Sequence, residues 1–304
     1  MKAFRKRNFQ RKFHHKFQSQ SAMEYLMTYG WAILIIAIVL AALFSLGVFS
    51  PTAYTPKASP GSCQVFRPNG PGTTSFINLE GICNGELPQY VAQFNGQSSY
   101  ISTGYAVTTS STVWTIEAWM DPANLDQIGI VVENGWDNGG NSNGYGFGIG
   151  NGAGSAGSQL QGLFSDVDWL STGYTFPSAN TWYNIVMARN QSGITSFYVN
   201  GVKIPFTTSL APITPNDTYI GSDTGIRYFA GSIADVQIYN TALSANDIQA
   251  LYQEGIGGAP INLQNLVAWY PLNGNANDYS GNDNNGVASG VTYSSSWYSG
   301  YSAP

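Results

Sequence analysis

Two patterns of apolar and polar residues divide the chain near residue 50. From Tyr25 to Phe49 the sequence contains 25 consecutive uncharged residues, most of them apolar. At about 1.5 Å per residue, a helix of this length would cross a hydrocarbon layer of about 30 Å. From residue 89 onwards, short alternating runs follow one another, separated by glycine, asparagine and serine. The pattern therefore predicts a long apolar helix followed by a β-rich body.

The alternating runs predict individual strands of an antiparallel β-sandwich. The run from Val113 to Met120 alternates, so its even-numbered residues from Trp114 onwards are expected to share one buried face. The Asn200-Gly201 pair between two such runs favours a type I′ hairpin turn. Many short strands separated by turn residues are typical of a sandwich or jelly roll. Further strands are predicted at 145–149, 182–188, 196–199, 202–204, 217–221 and 229–239.

One helix is predicted within the body. Ser244 is followed three residues later by Asp247, an arrangement close to a capping box, with aspartate in place of the usual glutamate or glutamine. Ile248, Leu251 and Tyr252 come next and supply an apolar face. The body therefore carries a short amphipathic helix after its last predicted central strand.

A short connecting region, residues 51–88, lies between the apolar segment and the body. It opens with a stretch rich in proline, serine, threonine and alanine, which is typical of an extended linker. Cys63 and Cys83 follow, 20 residues apart. In an extracellular protein such a pair favours one disulfide that closes a small loop, and two free thiols are the alternative.

Charge is distributed unevenly along the chain. The formal net charge is −5, yet seven of the 12 basic residues lie in the first 16 positions, so residues 1–19 carry +7. The other 285 residues contain 5 basic and 17 acidic residues, a net charge of −12. An acidic body of this kind lacks the basic footprint that nucleic-acid binding requires. Both histidines, His14 and His15, lie in the basic segment, so the body has no histidine for catalysis or for zinc.

The boundary between the basic segment and the apolar run resembles the class III signal peptide of type IV pilins, particularly archaeal ones. The residues that carry the resemblance are the basic leader 1–19, the sequence QSAMEYL from Gln20, and the apolar segment 20–50. The resemblance implies cleavage by a prepilin peptidase between Ser19 and Gln20, after which the apolar helix remains on the mature protein. It also implies that Glu24 pairs with the amine of Gln20 on another copy in a filament core. A plain uncleaved anchor is the alternative, and serine in place of glycine before the cut departs from the common pattern.

The body, residues 89–304, resembles the laminin-G-like, concanavalin A-like jelly-roll family. Three segments carry this resemblance: YVAQFNGQSSYI at 90–101, WYNIVMARNQSGITSFYVNGVKI at 182–204 and FAGSIADVQIYNTALSANDIQALY at 229–252. The resemblance implies a mainly β fold, in which an antiparallel β-sandwich follows the long N-terminal helix.

The position of the C-terminal segment 262–304 departs from the order in which the segments of that family normally follow one another along the chain. Residues 266–293 are similar to the strand and loop that normally begin such a domain, yet here they come last. A circular permutation, in which this segment supplies the usual first strand, is favoured because the termini of a sandwich often lie close together. A truncated second domain and a strand donated to a neighbouring subunit are the alternatives.

Two kinds of binding site are suggested within the body. The glycine-rich segment 134–158 carries Trp136 and Tyr145, which could line a groove for a glycan; an unliganded loop is the alternative. The second resemblance suggests calcium as a cofactor, since calcium takes six to eight oxygen ligands. The candidate calcium ligands are Asp235, Asp278, Asn282 and Asp283, which could equally be residues that stabilise turns.

Catalysis and modification are weaker signals. A glycosidase needs two carboxylates beside the scissile bond, and only Asp166 and Asp168 approximate such a pair, without a third acid. Asn190 and Asn216 lie in sequons for N-glycosylation. We therefore expect a non-enzymatic subunit of a type IV pilus-like surface filament, membrane-anchored before assembly, whose head serves adhesion or glycan binding. A membrane-anchored, non-polymerising lectin is the alternative, and a glycoside hydrolase comes third.

Overall fold

The computed structural model describes residues 14–45, 63–74, 78–81, 83, 87–106, 113–137, 142–152, 154–164, 167–210, 217–223 and 226–304. The chain divides into two compact units, residues 1–56 and 57–304, and each is considered by itself.

The first unit contains one helix, α1 (His14–Ser45). It begins inside the predicted leader 1–19 rather than at residue 20, so the predicted cut between Ser19 and Gln20 falls within the helix. No glycine or proline interrupts the sequence from His14 to Tyr29, which explains why the helix extends this far towards the N-terminus. The predicted end at residue 50 lies outside the described residues. Within the described part of the chain, no helix reaches the length and apolarity expected of a membrane span.

The second unit is an antiparallel sandwich of two large sheets, which confirms the β-sandwich part of the predicted fold class. One sheet has eight strands in the order β12-β11-β10-β5-β14-β3-β17, with β15 also paired to β14. The other has seven strands in the order β16-β4-β13-β6-β7-β8-β9, and β1 and β2 form a separate hairpin. The strands are β1 (Gln64–Phe66), β2 (Asn78–Glu80), β3 (Val91–Asn95), β4 (Tyr100–Ala106), β5 (Trp114–Pro122), β6 (Gly129–Asp137), β7 (Ser142–Asn151), β8 (Ser155–Phe164), β9 (Val167–Thr175), β10 (Tyr183–Arg189), β11 (Thr195–Val199), β12 (Val202–Thr208), β13 (Asp217–Ile220), β14 (Ala230–Tyr239), β15 (Leu266–Tyr270), β16 (Gly286–Ser289) and β17 (Thr292–Ser294).

The main core lies between the two sheets and is apolar throughout. On β5 it takes the four residues that the alternating pattern assigned to one face: Trp114, Ile116, Ala118 and Met120. The opposite face of β5 is also buried, which the alternation did not predict. A further layer covers that face, formed by helix α2 (Ala245–Glu254) and by residues near the C-terminus.

Two local predictions are confirmed in atomic detail. Helix α2 starts at Ser244, whose side chain accepts a hydrogen bond from the Asp247 amide, while the Asp247 carboxylate accepts one from the Ser244 amide. The turn between β11 and β12 has Asn200 at φ 50° and Gly201 at φ 74°, both in the left-handed region that a type I′ turn requires.

The C-terminal segment 262–304 adds strands to both sheets of its own sandwich. Strand β15 pairs with β14 and β17 with β3, whereas β16 pairs with β4 in the other sheet. Near Ser280, the guanidinium of Arg67 from the disulfide-closed hairpin donates to the main-chain oxygens of Ser280 and Leu266. Cys63 and Cys83 form the disulfide of that hairpin.

Strand β14 changes partner at Asp235. Residues Ala230–Ile233 pair with β3, and residues Val236–Tyr239 pair with β15. Between them, Asp235 has φ 49° and the pairing with β5 also shifts register. The buried carboxylate of Asp235 accepts hydrogen bonds from Trp269 Nε1 at 2.7 Å and from Gln237 Nε2 at 3.0 Å.

A second buried carboxyl, Glu117 on β5, lies on the same covered face. Asn184 Nδ2 donates to Glu117 Oε1 at 2.7 Å, while Glu117 Oε2 and Asn184 Oδ1 have no partner among the described residues. A neutral carboxylic acid would supply the missing hydrogen, because its O–H could donate to Asn184 Oδ1. Burial raises the pKa of Glu117 well above its ordinary value, and the charge of Asp235 raises it further, against the bond from Asn184.

We predict that the sandwich loses stability as the pH rises. A carboxyl whose pKa is raised on folding binds its proton more tightly in the folded state. Its contribution to the free energy of unfolding is therefore fully present at low pH and is lost as the pH rises through the pKa of the folded state. Glu117→Gln imitates the neutral acid, since its amide can donate to Asn184 Oδ1. At pH 8 this variant should unfold at a higher denaturant concentration than the natural chain, and the difference should disappear near pH 4.

The matched control is Glu254→Gln, which removes an exposed carboxylate at the end of α2. The measurement is the urea concentration at the midpoint of unfolding, compared between the two variants and the natural chain from pH 4 to pH 8. If Glu117→Gln were less stable than the natural chain at pH 8, Glu117 would be a necessary anion, and the interpretation would be wrong.

Candidate functional site

A groove of about 610 Å³ opens on the outer face of the eight-stranded sheet. Its lining comes from β3, the end of β5, the start of β14, β17 and the chain after β17. Most of the lining side chains are hydroxyls and amides. The lining residues are Gln93, Phe94, Asn95, Asp121, Ala123, Asn180, Gly231, Ser232, Gly290, Thr292, Ser296, Trp297 and Ser299.

The floor of the groove is a row of four polar residues on neighbouring strands. Asp121 of β5 is paired with Ser232 of β14, Ser232 with Gln93 of β3, and Gln93 with Thr292 of β17. Residues paired directly across strands project from the same face of a sheet. Because neighbouring strands lie about 4.8 Å apart, the row is about 14 Å long. It presents a carboxyl, two hydroxyls and an amide in one line.

The far wall of the groove is fixed by Trp297. The indole Nε1 of Trp297 donates to the main-chain oxygen of Pro88, and Trp182 Nε1 donates to the main-chain oxygen of Trp297. Trp297 is only 4% exposed, so it supports the wall and offers little ring surface to a ligand. Its neighbour Tyr298 stacks on it with ring centroids 4.5 Å apart and is 52% exposed. Tyr298 therefore exposes an aromatic ring beside the wall residue Trp297, although Tyr298 is not among the described lining residues.

Asp121 gives the groove its electrostatic character. It is the one charged side chain among the described lining residues. Partial burial raises the pKa of Asp121 to about 6, although a hydrogen bond from the Thr181 backbone acts in the opposite direction. At neutral pH the groove therefore contains one carboxylate, and no described lysine or arginine lines it to balance that charge.

The glycine-rich segment forms strands instead of the expected groove. Strands β6, β7 and β8 occupy most of residues 134–158. Glycine at position 146 of β7 allows the backbone of β6 to lie close by, since a Cβ at Gly146 would lie 2.2 Å from the Val132 carbonyl oxygen. Tyr145 is 1% exposed and stacks on Trp114 in the core, with ring centroids 3.9 Å apart. The prediction that Tyr145 contacts a glycan is therefore wrong, because its alternating position on β7 turns it inward. Trp136 belongs to β6, but the structure does not describe the placement of its side chain.

The candidate calcium ligands already hold hydrogen bonds. Both oxygens of Asp278 accept donors: Oδ1 from the Trp269 and Ser280 amides, and Oδ2 from Ser280 Oγ and the Asn284 amide. Asn282 Oδ1 accepts from the Gly72 amide at 2.6 Å.

Asp235 binds Trp269 and Gln237 as described above, and Asp283 is exposed. No group of three or more acidic, histidine or cysteine side chains within the described residues forms a metal-binding cluster. Asp235, Asp278 and Asn282 use side-chain oxygens as hydrogen-bond acceptors at turns and strand junctions, and the four candidates do not come together as a metal-binding cluster in the described part of the chain. Calcium binding by the chain stays a prediction without an identified ligand set.

The remaining sequence-based candidates are placed as follows. Asn190 is exposed in the turn between β10 and β11, and its Oδ1 accepts from the amides of Ser192 and Ile194, which leaves its glycosylation an untested prediction. Asp168 lies on β9 without a described side chain, whereas Asp166 and Asn216 fall outside the described residues. Ser19, Gln20 and Glu24 belong to α1, and their side chains are likewise not described.

Comparison with known proteins identifies the class of this chain. Residues 95–249 match the family described as the concanavalin A-like lectin/glucanases superfamily, in its laminin G form. Since this match covers more than half of the sequence, the chain belongs to that superfamily. Among curated proteins, none matches the sequence.

Three solved structures are similar to this chain at low identity, and the one whose TM-score exceeds 0.5 shares its fold. A putative carbohydrate-binding protein from Bacteroides ovatus is 20% identical over 72% of this chain, with a TM-score of 0.52, and 63% of its own length is covered. Domain 4 of the arabinanase AbnA from Geobacillus stearothermophilus, in complex with arabinotriose, is 20% identical over 54% of this chain and 76% of its own, with a TM-score of 0.43. A heptameric pentraxin from Limulus polyphemus is 14% identical over 67% of this chain and 94% of its own, with a TM-score of 0.46.

The core position of Tyr145 leads to a prediction about stability. Tyr145→Ala should lower the free energy of unfolding by about 3–5 kcal/mol, because it leaves a cavity beside Trp114. Tyr145→Phe is the matched control and should cost far less, since the hydroxyl has no hydrogen-bond partner among the described residues. Thermal and urea unfolding of the two variants measure the difference. Equal stability of both variants would place Tyr145 outside the core.

Proposed function

We propose that this protein is a non-enzymatic, extracellular glycan-binding protein whose ligand lies in the groove on the eight-stranded sheet. The observation that carries the proposal is the in-register row of Asp121, Ser232, Gln93 and Thr292. An elongated chain of sugar hydroxyls needs donors and acceptors at short, regular intervals, and four neighbouring strands supply them. Tyr298, stacked on the wall residue Trp297, exposes a ring on which the apolar face of a sugar that extends beyond the groove can pack.

The family and the disulfide support the same proposal. The superfamily includes lectins by its own description. The Cys63–Cys83 bond is of a kind that persists in oxidising compartments, as at a cell surface. Glycanases belong to the same superfamily, but binding is favoured because the groove holds only one described carboxyl, whereas glycoside hydrolysis ordinarily uses two.

A second proposal concerns the first unit. Helix α1 exposes large apolar side chains on every side, among them Trp31, Ile33, Ile35, Ile36 and Ile38. A helix that is apolar all round is normally buried, either in a membrane or among other helices. We propose that copies of this protein assemble through α1 into a type IV pilus-like filament after cleavage between Ser19 and Gln20. In that assembly Glu24 would pair with the new amine of Gln20 on a neighbouring copy.

The groove proposal predicts a loss of binding on removal of a floor side chain. The full chain, purified in detergent, should bind oligosaccharides on a glycan array. Gln93→Ala should weaken binding of the strongest array ligand about fivefold to tenfold, the usual effect of deleting one hydrogen-bonding side chain. Gln253→Ala, which removes an exposed glutamine from α2, is the control and should bind as the natural chain does. Equal binding by Gln93→Ala with an intact fold would exclude the groove as the site.

The filament proposal predicts a variant that fails to assemble although its head, the unit of residues 57–304, is unchanged. Glu24→Ala should abolish surface filaments, because a buried ammonium would lose its partner. Glu254→Ala removes an acid from the head and should leave filaments intact. Electron microscopy shows the filaments, and mass spectrometry of the surface protein should find Gln20 as the first residue. Filaments formed by Glu24→Ala, or a mature protein that retains residues 1–19, would contradict the proposal.

A further inference from the structure

The charge of the groove limits the class of glycan that it can accept. This inference rests on the proposed glycan-binding function and concerns the same site. Asp121 lies at one end of the row, and its strand partner Ser232 separates it from Gln93 and Thr292. The other polar side chains that line the groove are uncharged, and no described cation faces Asp121 there.

A ligand carboxylate in this groove would meet repulsion that nothing nearby offsets. Two like charges a few ångströms apart in a partly buried site repel by an amount that corresponds to at least about a tenfold loss of affinity. Salt at physiological strength screens charges that are more than about 8 Å apart, so acidic residues beyond that distance add to the repulsion only weakly. Among the described lining residues, Asp121 is the one that repels an anionic ligand.

A neutral sugar would interact favourably with the same carboxylate. Sugar hydroxyls are hydrogen-bond donors, and a bond from a neutral donor to an ionised acceptor is stronger than one between neutral groups. Ser232 and Thr292 can both donate and accept, and Gln93 can do the same through its amide. The floor therefore satisfies hydroxyls of either orientation along its length while it disfavours an acid at the Asp121 end.

We propose that the groove selects uncharged glycans and that Asp121 is the residue that excludes acidic ones, such as uronate-containing or sialylated chains. The discrimination is expected at neutral pH, where Asp121 is ionised. It should weaken in acid, because a neutral Asp121 would no longer repel a carboxylate.

The test uses the full chain on an array that prints each neutral oligosaccharide beside its carboxylate-bearing counterpart. At pH 7.5 the natural chain should bind neutral members at least about tenfold more tightly than their acidic partners. Asp121→Asn, which keeps the size of the side chain, should weaken neutral binding severalfold and strengthen acidic binding, so that the ratio falls to within about threefold. Asp126→Asn is the matched control, because it removes the same charge from an exposed position outside the groove.

The possible results separate the two proposals. If the natural chain binds neutral and acidic members equally, the selectivity inference fails while the groove remains a binding site. If Asp126→Asn changes the ratio as much as Asp121→Asn, the selectivity comes from net charge and the role of Asp121 is refuted. If the folded chain binds no glycan on the array, both the proposed function and the selectivity inference fall.

Discussion

The hydrogen bond from Trp269 to Asp235 joins two parts of the sequence that lie far apart and makes the central sheet possible. Strand β14 must pair with β3 along its first half and with β15 along its second, and the chain can change partner only at a bulge. The bulge buries a carboxylate, which is costly without donors. Trp269, from the C-terminal segment, and Gln237, two residues further along β14, supply those donors. The C-terminal segment thus completes the sheet and also donates one of the two side-chain hydrogen bonds that Asp235 accepts.

The same bulge divides the outer face of the sheet into two regions with different roles. Beyond it, Tyr239 packs with Ile248 and Leu251 of α2, and its hydroxyl donates to Gln237 Oε1, so this half of the face is closed to water. Before it, Ser232 lies in the open groove, where water or a ligand can satisfy the floor residues. The change of partner, and the break in register that accompanies it, separates the closed half from the open half.

Local features of this protein were predictable from sequence, whereas features made by distant segments were not. The Asn200-Gly201 turn, the cap at Ser244 and the inward face of β5 depend on residues within a few positions of one another, and all are confirmed. Tyr145 was misplaced because composition alone made its glycine-rich surroundings look like a loop, although alternation with Phe147 indicated a buried face. The groove could not be found from sequence, since Gln93, Asp121, Ser232 and Thr292 belong to four separate strands. Only the exposed polar positions within otherwise apolar strands gave any sign of it.

Strand β17 and the residues just after it give the groove a particular vulnerability. Thr292, Ser296, Trp297 and Ser299 form one side of the groove, and these four follow every other lining residue in the sequence. During synthesis on the ribosome, the two-sheet core can begin to associate before these residues emerge, yet the binding face is still incomplete. A proteolytic nick just before β17 would leave this side of the groove attached only by noncovalent contacts, such as the pairing of β17 with β3 and the hydrogen bonds of Trp297. The proposed recognition of a glycan therefore depends on the lining residues that are synthesised last.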